Sequence, residues 1–176
     1  LVEYEQMKLA AAKLDALPAN SFLPEAYAFL DVDEFLSMWA ADSVLGHWDD
    51  YAFSIMNNYR VYHDPGTGLW HLLPSGIDQT QNSDVDPFNP SGRLARKCVQ
   101  DPDCLPLFAA RLREAASVFE SMDLVDRALA LHDQIRPDVM ADPRKEYDLA
   151  SWESAHTSWR NWLAGRPAVI RQKLAA

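Results

Sequence analysis

Cysteine, glycine and basic residues are all scarce in this chain, and each scarcity closes off a class of function. Two cysteines, Cys98 and Cys104, occur in 176 residues. They are too few for a zinc site of the usual four ligands, and their spacing is not that of a redox motif. The six glycines form no glycine-rich run of the kind that wraps phosphates. Lys and Arg number 16 against 26 Asp and Glu, a net charge of −10, so no nucleic-acid partner is expected. No apolar run approaches the roughly 18 residues of a membrane span, so no membrane insertion is expected. The first residues do not read as a secretory leader, because Glu3, Glu5, Lys8, Lys13 and Asp15 recur through Leu1–Leu17.

What is present describes a folded chain. Hydrophobic residues make up 48% of the sequence and charged residues 24%, which excludes a disordered polyelectrolyte. The length suits one domain, residues 1–176. Two cysteines flanking Asp101-Pro102-Asp103 can close a small loop if the compartment oxidises. The sequence leaves that pairing open.

Periodicity predicts a mainly α-helical fold with one small β-hairpin. Leu1, Tyr4, Leu9, Ala12 and Ala16 recur near the helical period, and Pro18 ends the pattern. Pro24-Glu25 opens a short apolar turn. Asp31 followed by Glu34 is a capping-box-like start to a helix with Phe35, Leu36, Trp39 and Leu45 on its apolar face, ending near Gly46. Tyr59–His63 and Leu69–Leu73 have strand composition and flank the turn signal Asp64-Pro65-Gly66. Residues 81–91 read as a long ordered loop or lid. Helices are then predicted from Pro102 through Phe119, from Asp123 to Ile135 with a stop at Pro137, and from Tyr147 to Leu163. Gly165 is expected to end the last of these and Pro167 to open a short terminal helix.

One constellation carries chemistry. Asp49 precedes Asn58 at the start of the first strand, and Asp78 lies just beyond the second. Phosphoryl transfer needs an Asp near the acceptor hydroxyl, and an Asn and a second Asp that hold the metal ions bridging the phosphates. A hairpin with ligands at its two ends fixes their separation, which matters where catalysis is positioning and charge neutralisation. His47-Trp48-Asp49 echoes the H-R-D of protein kinases, but Asp49 and Asn58 are nine residues apart where that signature has about five. His47 is expected to position its neighbours and Asp50 to be structural. Two weaker readings stand beside this one. His63 and His71 are expected to face each other across the hairpin with no third ligand, and Asn82, Asp84 and Asp86 alternate as in a cation loop but lack the glycine and glutamate of an EF-hand.

The residues themselves resemble a known family. Asp31-Val32-Asp33-Glu34-Phe35-Leu36, Leu45-Gly46-His47-Trp48-Asp49, Asn57-Asn58-Tyr59-Arg60-Val61-Tyr62 with Asp64-Pro65, and Leu73-Pro74-Ser75-Gly76-Ile77-Asp78-Gln79-Thr80 look like successive motifs of the CotH (spore coat protein H) kinase family. The resemblance implies an atypical, secreted or cell- or spore-surface protein kinase that uses ATP with Mg²⁺ or Mn²⁺ to phosphorylate Ser/Thr hydroxyls of surface or coat proteins. It implies that Asp49 is the catalytic aspartate and that Asn58 and Asp78 are the metal ligands, with Asn57 in reserve. It also implies the C-lobe of a kinase-like fold. Two departures stand out. The family's W-D-x-D reads Ser75-Gly76-Ile77-Asp78, so its Trp and first Asp are missing. The chain also shows no strand-rich N-lobe with a phosphate-binding lysine, so by itself it is expected to be inactive. The alternative is a non-catalytic surface or coat-assembly module that retains the lobe.

Overall fold

Asp31 starts the helix around which the rest is organised. In the computed structural model, which describes residues 2–175, its carboxylate accepts the Glu34 N–H at 3.0 Å, the N-cap bond expected of that motif. The helix it opens follows α1 (Val2–Ala16) and the short α2 (Phe22–Ala26), and is α3 (Val32–Leu45). α3 buries Val32, Phe35, Leu36, Met38, Trp39, Ala40 and Val44, so it is apolar on most of its circumference and runs through the core. It ends at Gly46, whose φ of +67° is the left-handed conformation glycine adopts without a Cβ clash. A side chain there would also collide with the Ser83 carbonyl.

Strands β1 (Tyr59–His63) and β2 (Trp70–Pro74) form a two-stranded antiparallel sheet. Asp64 organises the turn, accepting the Gly66 N–H at 2.9 Å and the Thr67 hydroxyl at 2.8 Å. The hairpin is tied to the start of α3 by backbone bonds from Asp31 to Trp70 at 2.9 Å and from Trp70 to Phe29 at 2.8 Å. After the loop come α4 (Arg93–Gln100), α5 (Cys104–Ser121), α6 (Leu124–Ala141) and α7 (Leu149–Ala175). α5 lays Phe108, Leu112, Ala116 and Phe119 into the core, an i, i+4 stripe. Phe108 stacks on Trp39 of α3 with ring centroids 3.4 Å apart. Among the described residues no helix is long and apolar enough to cross a membrane.

Cys98 and Cys104 are joined by a disulfide that pins α4 to the start of α5. Between them the buried Asp101 carboxylate accepts N–H groups from Asp103 and Cys104, each at 2.9 Å, and from Leu23 at 3.2 Å. Burial opposes its charge, but these donors prevail and hold its pKa below the ordinary value.

Several elements differ from their sequence reading. α1 forms, but Leu1 of its predicted apolar face lies outside the described residues, and Tyr4 and Leu9 are exposed; the helix contributes to the core mainly through Leu14. α5 begins at Cys104 rather than Pro102, because Asp101 spends its carboxylate on the turn before it. α6 continues through Pro137 to Ala141. The proline is exposed, so the carbonyl left without a donor can turn to water. α7 runs unbroken through Gly165 and Pro167, because side chains on both sides of that step are clamped to the core. Arg166 donates to the Ser43 and Val44 carbonyls at 2.5 and 2.8 Å, and Ile170 is fully buried.

Residues 81–91 are an ordered strap held by α7. Trp159 donates to Gln81 at 2.7 Å, Trp162 to the Ser83 carbonyl at 3.3 Å, and Arg166 to Asp84 at 2.8 Å. Lys173 also pairs with Asp84, at 3.1 Å. Asp84 is therefore neutralised by two cations, and the reading of this loop as a cation site is corrected. The histidine reading is corrected too. In the observed register Tyr62 faces His71 and His63 faces Trp70, so the two imidazoles are not opposed.

Candidate functional site

The segment between α3 and β1 closes on Asp49. The Asp49 carbonyl accepts the N–H groups of Asn57 and Asn58 at 3.0 and 2.9 Å, so residues 50–56 loop out and return to the point they left. This removes the difficulty posed by the nine-residue spacing, since the ends are pinned whatever the length between them. The excursion is anchored rather than loose. Tyr51, Ala52 and Phe53 are buried, Ser91 donates to the Ala52 carbonyl at 2.8 Å, and the Tyr51 hydroxyl accepts the Leu94 N–H at the start of α4 at 2.8 Å. Burial pushes the Tyr51 phenol up to about 12.

This closure brings two of the three sequence-derived residues into direct contact. Asn58 Nδ2 donates to Asp49 Oδ2 at 2.6 Å, a short charge-assisted bond. The Asn58 carbonyl accepts the Ser75 N–H at 3.0 Å, which joins the start of β1 to the end of β2. Next along is Gly76, at φ +58°, where an added Cβ would lie 2.5 Å from Asn58 Oδ1. Asp78 sits two residues further on, exposed, in the 3₁₀ turn Ile77–Gln79. The structure therefore joins Asp49 to Asn58 and packs Asn58 against the turn that carries Asp78, while Asp78 itself bonds to neither. Asn57 donates to Asn58 Oδ1 at 3.3 Å and so buttresses its neighbour.

Beneath Asp49 lies a buried cluster. The Asp42, His47, Asp49 and Asp50 side chains are all at least nine-tenths buried. His47 Nδ1 is 3.0 Å from Asp42 Oδ1, and its Nε2 is 3.3 Å from Asp49 Oδ1. The hydrogen bond to Asp42 outweighs burial and raises the His47 pKa above the ordinary value. Asp50 accepts the Ala52 N–H at 3.2 Å. Its burial, with the nearby Asp42 charge, pushes its carboxyl up to about 7. Asp42 is the residue that sequence reasoning missed. Its signal was an acid in register with Phe35 and Trp39 on the apolar face of a helix, where an unpaired carboxylate would be costly.

A second acidic group among the described residues is accounted for by structure. Asp31, Glu34 and His71 meet at the start of α3, where Asp31 caps the helix and His71 hydrogen-bonds to Glu34.

For a nucleotide-bound divalent cation, the chemistry of the donors fits. Asn58 Oδ1 and the Asp78 carboxylate are the hard oxygen ligands that magnesium and manganese prefer, and Asp78 faces solvent where such an ion would arrive. The buried Asp49 Oδ1 has no conventional hydrogen-bond donor among the described residues.

The chain matches known proteins along most of its length. A family model described as CotH kinase protein matches residues 3–170. The chain is 24% identical to the inner spore coat protein H of Bacillus subtilis over 93% of its own length and 47% of that protein's. It is 26% identical to the invasin CotH2 of Rhizopus delemar over 70% of its own length and 24% of that protein's. The chain thus spans about half, or less, of the curated relatives it matches. With the family model covering nearly the whole sequence, the chain belongs to the CotH kinase family.

Proposed function

We propose that this chain is the C-lobe-like portion, residues 1–176, of an atypical protein kinase that transfers the γ-phosphoryl group of ATP to Ser/Thr hydroxyls of surface or coat proteins. The observation that carries the reading is the 2.6 Å bond between Asp49 and Asn58, with Gly76 against Asn58 and Asp78 two residues beyond. It is the constellation phosphoryl transfer needs, with a hydroxyl-orienting carboxylate beside a set of oxygen ligands. Asp49 receives or orients the hydroxyl. Asn58 and Asp78 would hold the Mg²⁺ or Mn²⁺, which supplies charge neutralisation at the phosphates when bound. The mainly helical fold with a single hairpin supports the lobe assignment. The Cys98–Cys104 disulfide suits a secreted or surface location, as do the spore-coat and invasin names of the relatives.

The test is phosphoryl transfer by the protein that carries this chain. Asp49→Asn should lower kcat by about 10²–10⁴-fold, the usual range for losing a positioned acid–base group. Asp78→Ala should abolish metal-dependent turnover. Unchanged transfer in Asp78→Ala would remove Asp78 from the site.

Gly76 favours a second reading, a non-catalytic surface or coat-assembly module. It stands where the family's motif has its first Asp, and an aspartate there would have to displace the Asn58 carboxamide. Absence of phosphoryl transfer with either metal, together with retained binding to coat or cell-surface protein, would favour the module.

A further inference from the structure

His47 Nδ1 hydrogen-bonds Asp42 Oδ1 at 3.0 Å, and its Nε2 lies 3.3 Å from Asp49 Oδ1, both of these last two atoms buried and neither in a hydrogen bond. A neutral imidazole has one donor and one acceptor. In either neutral tautomer an unprotonated ring nitrogen would therefore sit beside a carboxylate oxygen inside the protein, where such a contact is repulsive and costly. The ring also lies just past the C-terminus of α3, with its own N–H on the Asp42 carbonyl at 2.9 Å, and the negative end of a helix dipole favours a cation. The ring is fully buried, so water cannot supply the missing donor. Two protons on the ring resolve the conflict.

The same arrangement accounts for Asp49. One of its oxygens is held by Asn58, and the other faces His47 and has no other donor among the described residues. We propose that Asp42 and His47 form a buried ion pair that acts as a positioning device for Asp49, with Asp42 keeping both ring nitrogens protonated and the ring presenting Nε2–H to the Asp49 carboxylate. Asp49 is then held by the Asn58 hydrogen bond at the hairpin and by the His47 charge 3.3 Å away at the end of α3. A carboxylate held in this way is a well-placed hydroxyl orienter. Asp42 and His47 act through Asp49 and do not themselves touch substrate.

The charged groups facing His47 are Asp42 from α3, and Asp49 and Asp50 from the loop. Arg166 of α7 bonds the Ser43 and Val44 carbonyls on the same helix end. The three acids favour the imidazolium.

This inference rests on the phosphotransferase reading for its purpose, but its test separates the two. The His47 ring of ¹⁵N-labelled chain is titrated by NMR. Both ring nitrogens should carry protons at pH 7.5, with an apparent pKa above the ordinary value of about 6.5. Asp42→Asn should lower that pKa by about a unit or more, and Asp49→Asn by less. A single neutral tautomer at pH 7 in the unsubstituted chain overturns the proposal, and that result does not depend on any variant folding. One equivalent of tightly bound metal, lost in Asp42→Asn, would overturn it in favour of a cation. In the active protein, Asp42→Asn should move the alkaline limb of the kcat profile to lower pH, with KM for ATP within about twofold; a purely structural role would depress kcat equally at all pH. If the protein transfers no phosphate at any pH, the phosphotransferase reading fails while the NMR result still decides the ion pair.

Discussion

Asp50 is held in a state that water would not choose for it. Its folded pKa of about 7 lies above that of an unfolded aspartate, so the folded chain binds that proton more tightly. Stability from this source is present at low pH and falls as pH rises from about 4 through 7. His47 is also raised, so its contribution is present below its ordinary pKa and lost as pH climbs through the folded value. The two groups act in the same direction. Thermal melts should show Tm falling between pH 6 and pH 9, and Asp50→Asn should flatten that fall. The variant should gain on the order of a few kcal/mol at pH 9 and little at pH 5. A Tm that rises with pH across this range contradicts the burial argument. Gly76 gives a second prediction at this scale. Gly76→Ala combines a positive φ, costing about 1–2 kcal/mol, with a methyl group pressed on the Asn58 carboxamide. Calorimetry should show a greater loss of metal–nucleotide affinity than melting shows of stability.

The placing of Asn58 and Asp78 at one end of the hairpin was legible from the strand and turn signals. Asn58 at a strand start and Asp78 after the paired strand could be read directly. Their relation to Asp49 could not, because it depends on a backbone closure from Asn57 and Asn58 back to the Asp49 carbonyl. No periodicity encodes such a bond. Asp42 was hidden because an acid near a helix end reads as a solvated or capping residue until the helix is known to run through the core.

The elements follow local signals except where tertiary contacts override them. The N-cap of α3, its stop at Gly46 and the hairpin turn were all legible. The continuity of α7 was not, because the contacts that hold it come from α3 and from the strap, more than 75 residues away in sequence. Arg166 is the test of that clamp. It is buried and bonds two carbonyls and Asp84. Arg166→Ala should destabilise by about 3–5 kcal/mol, since it leaves these acceptors unpaired, and Arg166→Lys should recover only part of this because an ammonium cannot reproduce the fork. Denaturant melts giving less than about 1 kcal/mol for Arg166→Ala would show that α7 is held by its apolar face alone. The disulfide between α4 and α5 closes a short loop. Cys98→Ser with Cys104→Ser should cost about 2 kcal/mol. Free-thiol titration of the unreduced, unfolded chain should find none.

At the scale of the whole molecule, one helix connects the chemistry to the core. α3 carries one end of the hairpin at its N-terminus, through Asp31 and Trp70, and holds His47 and Asp49 past its C-terminus, where the other end of the hairpin brings Asn58 and the turn that follows β2. The mainly helical class with one hairpin was legible from periodicity, and the family from contiguous motifs at residues 31–80. The assembly of those motifs into one place was not. The central claim is that Asp49, Asn58 and Asp78 make a single metal–nucleotide site. Calorimetric titration of Mn²⁺–ATP and Mg²⁺–ATP into the protein that carries this chain, with Asn58→Ala and Asp78→Ala beside it, tests that claim most directly. Binding that requires the metal and is lost in both variants is the predicted result; no metal-dependent binding in the unsubstituted protein, or binding indifferent to both substitutions, would contradict it.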